Sequence, residues 1–206
     1  MTPNGSASSA RSTRPNFVAG RILRVTGQRL DRLEEACQVI LGLRDRDRVT
    51  FHGQHYQLED ASMHPKPVGR LPLLVGGGGE RRTIPIAARY ADEWNVWATV
   101  ETFARKARIL EHACERAGRD PRELRRSTQA LLEPHAAGLP RRPFLSRLPV
   151  VAGTVEQLRD TLGRYAAAGV DEFIVPAFRP QSPDETIALI DVLTSEVLPV
   201  LPPCQK

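Results

Sequence analysis

Residues 73–83 read LLVGGGGERRT, a short apolar run that enters four consecutive glycines and continues into charged residues and a threonine. An apolar run of this kind is typical of a buried parallel strand, which we place at Leu71–Val75. Thr83 is the predicted cap of a helix that runs through Ala91. Glycines let backbone N–H groups approach a ligand without an intervening Cβ, and a helix N-terminus adds unpaired N–H groups and partial positive charge. The stretch therefore predicts a strand, a turn and a helix whose junction suits an anion such as phosphate.

The glycine run matches neither of two common phosphate loops. No Gly-Lys-Ser or Gly-Lys-Thr follows it, so it is not a Walker A loop, and Arg81 stands where the dinucleotide-binding motif has its third glycine. Arg81 or Arg82 could still contact a bound phosphate through a charge-assisted hydrogen bond. Spacing alone leaves two interpretations about equally open: a phosphate site, and a tight turn in which glycine only relieves crowding.

Strands and helices alternate on both sides of the glycine run. Apolar residues that recur every three or four positions predict helices at residues 28–43, 83–91, 100–117, 154–168 and 183–198. Apolar runs predict strands at residues 71–75, 92–97, 125–132 and 170–176, and a hairpin over residues 49–58 that turns at His52-Gly53. The prolines at 65, 67 and 72 exclude a helix from the connection between hairpin and strand. This alternation predicts an α/β fold, either a parallel sheet or a β/α barrel.

The periodic pattern also sets the expected domain boundaries. Residues 1–20 are rich in small and polar side chains and show no helical or strand period, which is typical of disorder. We predict a disordered or foreign segment at residues 1–27, one domain at residues 28–200, and a tail at residues 201–206. Residues 133–148, rich in Pro, Gly and Arg, form a predicted loop.

Charge and composition exclude several classes of partner. The 206 residues carry 29 Lys and Arg against 24 Asp and Glu, a formal net charge of +5. The arginines are scattered through the predicted helices rather than gathered on one face, so we predict no nucleic-acid partner. No apolar run approaches the roughly 20 residues that a membrane helix needs, and the N-terminus lacks the apolar core of a secretory signal. We therefore expect a cytoplasmic protein without a membrane partner, whose cysteines, Cys37, Cys114 and Cys204, are buried thiols.

Two histidines and two carboxylates are further candidates for chemistry. His52 and His55 have the HxxH spacing but no third ligand nearby, so a locally hydrogen-bonded histidine is favoured over a metal site. Asp92 and Glu93 fit a general acid/base pair, and equally a strand-end carboxylate that accepts backbone hydrogen bonds. No metal site is predicted.

Two tryptophans and a second acidic pair have similar alternatives. Trp94 and Trp97 could shape a substrate pocket, although packing in the core is the favoured interpretation for each. Asp171 and Glu172 are predicted to cap or solvate the start of the last strand.

Several of these stretches together carry a family resemblance. They occur in the same order in luciferase-like oxidoreductases: RLEEA at 32–36, VTFHG at 49–53, PKPV at 65–68, VGGGGERRT at 75–83, AARYADEWN at 87–95, Gly-Thr at 153–154 and GVDEFIVP at 169–176. The chain resembles this family from Gln28 to Pro199, and most resembles the branch that uses the deazaflavin coenzyme F420. The resemblance implies a partial TIM (β/α)8 barrel, made of roughly the last four strands plus a β-hairpin insertion, with its site at the carboxyl ends of the strands.

The same resemblance implies a cofactor site at the end of the fifth barrel strand. Carried over to this sequence, Gly76, Gly77 and Gly78 would lie beside the ring and ribityl chain of FMN or coenzyme F420. The phosphate would be held by Gly79, Glu80 and Thr83, the first two through backbone N–H groups. No catalytic residue is assigned, because the family places the catalytic groups on earlier strands than those present here.

Three functional hypotheses follow. The first is a flavin- or F420-dependent oxidoreductase that moves a hydride or oxygenates a small organic substrate. Residues 1–27 are too few for four further βα units, since a βαβ unit takes about 30 residues, so we expect a truncated product with little activity alone. The second is a non-catalytic half barrel that binds cofactor or self-associates through its exposed edge. The third is an unrelated phosphate-binding α/β domain, supported only by the glycine run.

Overall fold

The computed structural model describes residues 26–136, 139–140, 148–176 and 182–200. The predicted segment 1–27 lies almost wholly outside the described residues, as do the tail 201–206, Cys204 and much of the predicted loop 133–148. The predicted domain boundaries therefore stay predictions.

Helices and strands alternate along the described residues. In chain order they are α1 (Thr26–Asp45), β1 (Val49–His52), β2 (Gln57–Ala61), β3 (Leu74–Gly76), α2 (Thr83–Tyr90), β4 (Glu93–Trp97), α3 (Val100–Arg116), β5 (Arg125–Gln129), β6 (Leu131–Pro134), β7 (Val150–Gly153), α4 (Val155–Ala167), β8 (Glu172–Ile174) and α5 (Pro183–Val192). A π-helical turn at Leu193–Val197 continues α5. None of the helices in the described ranges is both long and apolar enough to cross a bilayer.

The central feature is a four-stranded parallel sheet in the order β3-β4-β5-β8. A helix follows β3 and another follows β4 before the chain returns to the next strand, so the carboxyl ends of the strands share one edge of the sheet. This arrangement confirms the predicted α/β fold and partial barrel. Helix α4 ends in the predicted way, with Gly169 at a φ of +90° after it, and begins with Thr154, which forms a capping box with Gln157.

The predicted strand 125–132 is in fact two strands. The first, β5, pairs with β4 and β8, while β6 leaves that sheet and pairs in parallel with β7. The change of partner occurs at Ala130, which is fully buried between them. The sequence did not predict β7, because its four residues directly precede the helix cap Thr154 and have no turn signal of their own.

The core lies between this sheet and the helices. Trp94 and Phe103 are fully buried, with ring centroids 5.7 Å apart, which confirms Trp94 as a core residue. Cys37 and Cys114 are buried and free, and burial raises the pKa of each thiol, in agreement with the prediction of inert reduced cysteines.

The two outer strands of the sheet differ from their predictions. The stretch Leu71–Val75 was expected to be fully buried, but the strand is Leu74–Gly76, and Leu74 is 46% exposed while Val75 is 3% exposed. The expected buried strand 170–176 is reduced to β8, which is half-buried. Both corrections have one cause: in the described residues, β3 and β8 each have a strand on one side only.

The antiparallel pair β1 and β2 forms the predicted hairpin, with a longer turn than expected. Glu35 on α1 accepts the backbone N–H groups of Gln54, His55 and Tyr56 at 2.8 to 3.0 Å. Because one carboxylate accepts three consecutive main-chain N–H groups, the turn is held against α1 through its backbone.

Asp92, the residue before β4, joins three segments of the chain. Its carboxylate accepts the Leu73 backbone N–H at 2.8 Å and the guanidinium groups of Arg44 and Arg70 at 2.7 Å. Burial by itself raises the pKa of Asp92, but these hydrogen bonds lower it to about 2. The strand-end interpretation of Asp92 is thus confirmed, and the residue is a structural anchor.

We expect Asp92→Asn to lower the free energy of unfolding at pH 7 by about 2 kcal/mol, since one pKa unit corresponds to about 1.4 kcal/mol. The folded-state pKa lies below the ordinary value of 3.8, so this stability is present above about pH 4 and is lost as the pH falls towards 2. Urea unfolding of both proteins at pH 7 and pH 3 measures the difference, which must shrink at the lower pH. Asp45→Asn, at a more exposed carboxylate, is the control; an equal loss there would contradict the assignment.

Candidate functional site

The glycine loop borders a cleft at the end of the parallel sheet where the strands have their carboxyl ends. The cleft has a volume of about 400 Å³ and is lined by the ends of β3, β4 and β5 and by one lysine of α3, namely Gly76, Gly77, Gly78, Asn95, Val96, Trp97, Gln129 and Lys106. In β/α barrels the functional site lies at this end of the strands. The structure therefore brings three of the predicted site residues, Gly76 to Gly78, into one cavity.

Backbone conformation or crowding explains the glycine at three of the four positions. Gly77 has a φ of +125°, and a Cβ on Gly78 would lie 3.0 Å from Val96 Cγ2. A Cβ on Gly79 would lie 2.7 Å from the hydroxyl oxygen of Thr83. A Cβ on Gly76 would meet nothing within 4 Å, so packing does not explain the glycine at that position.

The backbone N–H groups of the loop divide into two sets. Gly77 donates to the Asn95 carbonyl at 2.8 Å and so belongs to the sheet. The N–H groups of Gly78, Gly79 and Glu80 donate to no acceptor within the described part of the chain. Free main-chain donors next to a helix N-terminus are the chemistry that binds an anion.

Two cations and one carboxylate surround the loop. Lys106 Nζ donates to the Gly78 carbonyl at 2.5 Å and to Glu80 Oε1 at 3.0 Å, and Arg105 binds the same carboxylate oxygen at 2.7 Å. Arg105 and Lys106 together hold the pKa of Glu80 below its ordinary value. The Glu80 side chain is thus turned towards α3 and neutralised, and the loop keeps an excess of positive charge.

Thr83 differs from its prediction in one respect. It is the first residue of α2 rather than the cap; Arg82 occupies the cap position, with no side-chain capping bond. Thr83 is 8% exposed and lies under Gly79. Arg82 binds Asp31 on α1 at 2.7 Å, so its charge anchors that helix, whereas Arg81 is exposed.

A chain of buried polar side chains, which the sequence analysis missed, leads into the cleft. Gln129 Nε2 donates to Asn95 Oδ1 at 3.0 Å, and Asn95 Nδ2 donates to Ser127 Oγ at 2.9 Å. Ser127 Oγ donates in turn to Glu93 Oε1 at 2.5 Å. A signal was present in the sequence: Glu93 and Asn95 on β4, and Ser127 and Gln129 on β5, stand two positions apart, which places their side chains on one face of the sheet.

Of the two candidate histidines, His52 makes the predicted local contact, whereas the buried His55 Nε2 has no hydrogen-bond partner among the described residues, contrary to the prediction. His52 Nδ1 lies 3.3 Å from Gln57 Oε1, a local contact as predicted, and among the described residues no group of three or more His, Cys, Asp or Glu is placed to hold a metal ion. Asp171 accepts the Arg126 backbone N–H at 2.7 Å, and Glu172 pairs with Arg125. This acidic pair was expected to cap or solvate the start of β8; instead it binds the first two residues of the neighbouring strand β5.

Comparison with known proteins relates this architecture to one family. The family model described as luciferase-like monooxygenase matches residues 24–133, more than half of the chain. An F420-dependent glucose-6-phosphate dehydrogenase of Nocardia farcinica is 39% identical over 64 residues, which are 31% of this chain and 18% of the relative. An FMNH2-dependent dimethylsulfone monooxygenase of Pseudomonas fluorescens is 37% identical over 65 residues, 32% of this chain and 18% of the relative.

A solved structure extends the likeness of fold. An F420-dependent secondary alcohol dehydrogenase, in complex with an F420-acetone adduct, superimposes with a TM-score of 0.71 at 20% identity. The match covers 87% of this chain and 64% of that protein. The matched segments thus span about a fifth of the length of the curated relatives and less than two thirds of the solved one.

We expect Lys106→Met to lower the free energy of unfolding by about 1 to 3 kcal/mol, because it leaves the Gly78 carbonyl without its charged donor. Arg105→Met is the matched control, since Arg105 is more exposed, binds Glu80 rather than the Gly78 carbonyl and leaves the Lys106 bond intact. Urea denaturation followed by tryptophan fluorescence measures both. Equal losses in the two variants would show that the bond to Gly78 contributes nothing particular.

Proposed function

The chain belongs to the luciferase-like monooxygenase family, and we propose that it holds the phosphate-bearing tail of FMN or coenzyme F420 at its glycine loop. One observation carries the proposal: the N–H groups of Gly78, Gly79 and Glu80 have no acceptor within the described residues, and the first of these three residues lines the cleft. The protein would act as part of an oxidoreductase on a small organic substrate.

The residues present fit such a cofactor. The phosphate would be bound by the backbone N–H groups of Gly79 and Glu80 and by the hydroxyl of Thr83, at the N-terminus of α2. The excess positive charge from Arg105 and Lys106 supports an anion at the same place. Gly76, beside which a Cβ would meet open space, leaves room for the bulkier part of the cofactor together with Gly77 and Gly78.

Cofactor and protein would have separate roles in the reaction. A bound flavin or deazaflavin supplies hydride or oxygen chemistry, and the protein supplies position and electrostatics. This chain contributes main-chain donors, a positive loop and the walls of the cleft. F420-dependent and FMNH2-dependent enzymes both occur among the relatives, so we propose either cofactor and leave the substrate open.

Titration of the purified chain with FMN and with F420 tests the site. We expect Gly79→Ala to weaken binding of whichever cofactor binds by about tenfold or more, since the new Cβ would lie 2.7 Å from Thr83 Oγ1 and displace a phosphate ligand. Gly163→Ala in α4, where a Cβ meets nothing within 4 Å, is the matched control and should leave the dissociation constant unchanged. Absence of binding by both cofactors at millimolar concentration would refute the proposal.

The exposed edge of the sheet supports a second candidate function, assembly with a second copy of the chain. On β3, Leu74 is 46% exposed and lies on the face of the sheet that carries the polar chain. Within the described ranges β3 has no strand on its outer side, and such an edge with an apolar side chain is a template for pairing with another strand. In this candidate two chains would shield each other's edge strands, with or without catalysis.

Light scattering coupled to size-exclusion chromatography tests the second candidate. We expect the chain to elute as a dimer or larger species, and Leu74→Lys to shift it towards the monomer, because a charge on an edge strand opposes pairing. Tyr56→Lys, which adds the same charge on the exposed hairpin turn, should leave the distribution unchanged. A monomeric wild-type chain would contradict assembly and leave cofactor binding unaffected.

A further inference from the structure

The polar chain of the cleft is built by the register of two strands. Asn95 lies opposite Ser127, and Trp97 lies opposite Gln129. Two of the three hydrogen bonds run diagonally, from Ser127 to Glu93 and from Gln129 to Asn95, and the third joins the opposite pair Asn95 and Ser127. Glu93, Asn95 and Ser127 are 8%, 6% and 0% exposed, so the bonds are shielded from water along most of their length.

Glu93, at the buried end of this row of polar side chains, fixes the direction of each hydrogen bond in it. A carboxylate only accepts hydrogen bonds, so the single hydroxyl proton of Ser127 goes to Glu93. Ser127 must then accept, which requires Asn95 to turn its NH2 group towards it. Asn95 consequently presents its oxygen to Gln129, and Gln129 must donate through Nε2.

The direction of these hydrogen bonds determines which polar atoms of Gln129 are left to bind a ligand in the cleft. Gln129 lines the cleft, and its Oε1 has no hydrogen-bond partner within the described residues. One N–H of its NH2 group is used by Asn95, and a second remains. The Gln129 amide therefore presents a hydrogen-bond acceptor to the cleft, with a donor beside it.

We propose that Glu93, acting through Ser127 and Asn95, orients the Gln129 amide to recognise the imide edge of a planar heterocycle, where an N–H lies beside a carbonyl. Gln129 is the binding residue and Glu93 a positioning residue. The inference rests on the proposed function, because the imide N–H is the ring N–H that oxidised flavins and deazaflavins share. Reversed amides would present a donor and an acceptor in exchanged positions.

Methylation of the ligand at the imide nitrogen tests this recognition directly. Whichever of FMN and F420 binds is compared with its N3-methyl form by fluorescence titration. We expect the methyl group to weaken binding to the wild-type chain by about tenfold, the equivalent of one lost hydrogen bond and some steric conflict. Because the phosphate is the same in both ligands, the ratio of the two dissociation constants reports on the ring edge alone.

Two variants locate the effect. Gln129→Leu should bring the ratio close to one, since the acceptor is gone. Glu93→Gln keeps the size of the side chain but can donate to Ser127, which frees both amides to reverse, so the ratio should fall there as well. A purely structural effect of Glu93 would lower stability and leave the ratio unchanged.

Thr128→Val is the matched control for both variants. Thr128 is a fully buried neighbour on β5 whose hydroxyl donates to the Val96 carbonyl at 2.8 Å, on the opposite face of the sheet. It should lower stability and retain the wild-type ratio. A wild-type ratio near one, or an unchanged ratio in Gln129→Leu, would overturn the inference while cofactor binding stands; failure of both cofactors to bind would overturn the proposed function and this inference together.

Discussion

The parallel register of β4 between β3 and β5 is the constraint on which the rest of the structure depends. It aligns Gly76 with Asn95 and Trp97 with Gln129, residues far apart in sequence, at one edge of the sheet. Because parallel strands end on the same side, the glycine loop and the polar chain face a common cleft. A shift of one residue would turn the polar side chains towards the buried helix face and remove both features.

Each end of β4 is fixed by contacts that do not depend on the sheet ladder. Before the strand, Asp92 binds β3 and two arginines. Within it, the Trp94 indole N–H donates to the Gly77 carbonyl at 2.9 Å, and after it the Tyr165 hydroxyl donates to the Ala98 carbonyl at 2.7 Å. Burial raises the pKa of Tyr165 to about 12, so this hydroxyl keeps its proton. The cleft is therefore organised by side chains that lie outside it.

Local patterns predicted most of the fold, and contacts between distant segments account for what was missed. The strand before the glycines, the helix after them and β4 follow from periodicity and turn residues that are adjacent in sequence. The strand β7 was missed because its pairing with β6 is decided by tertiary contact, and the cap of α2 was predicted one residue late, at Thr83 instead of Arg82. The glycine site could be named from a resemblance, whereas the Glu93 to Gln129 chain depends on which strand lies beside which.

The anchor of the hairpin has a consequence for how this part of the chain tolerates change. Glu35 holds the turn through three main-chain N–H groups, and every amino acid except proline supplies that group. These three hydrogen bonds therefore do not depend on the exposed side chains of Gln54 and Tyr56, and a single acidic residue on α1 carries the requirement instead. Selection can vary the exposed side chains of the turn while the backbone bonds that position it on α1 are retained.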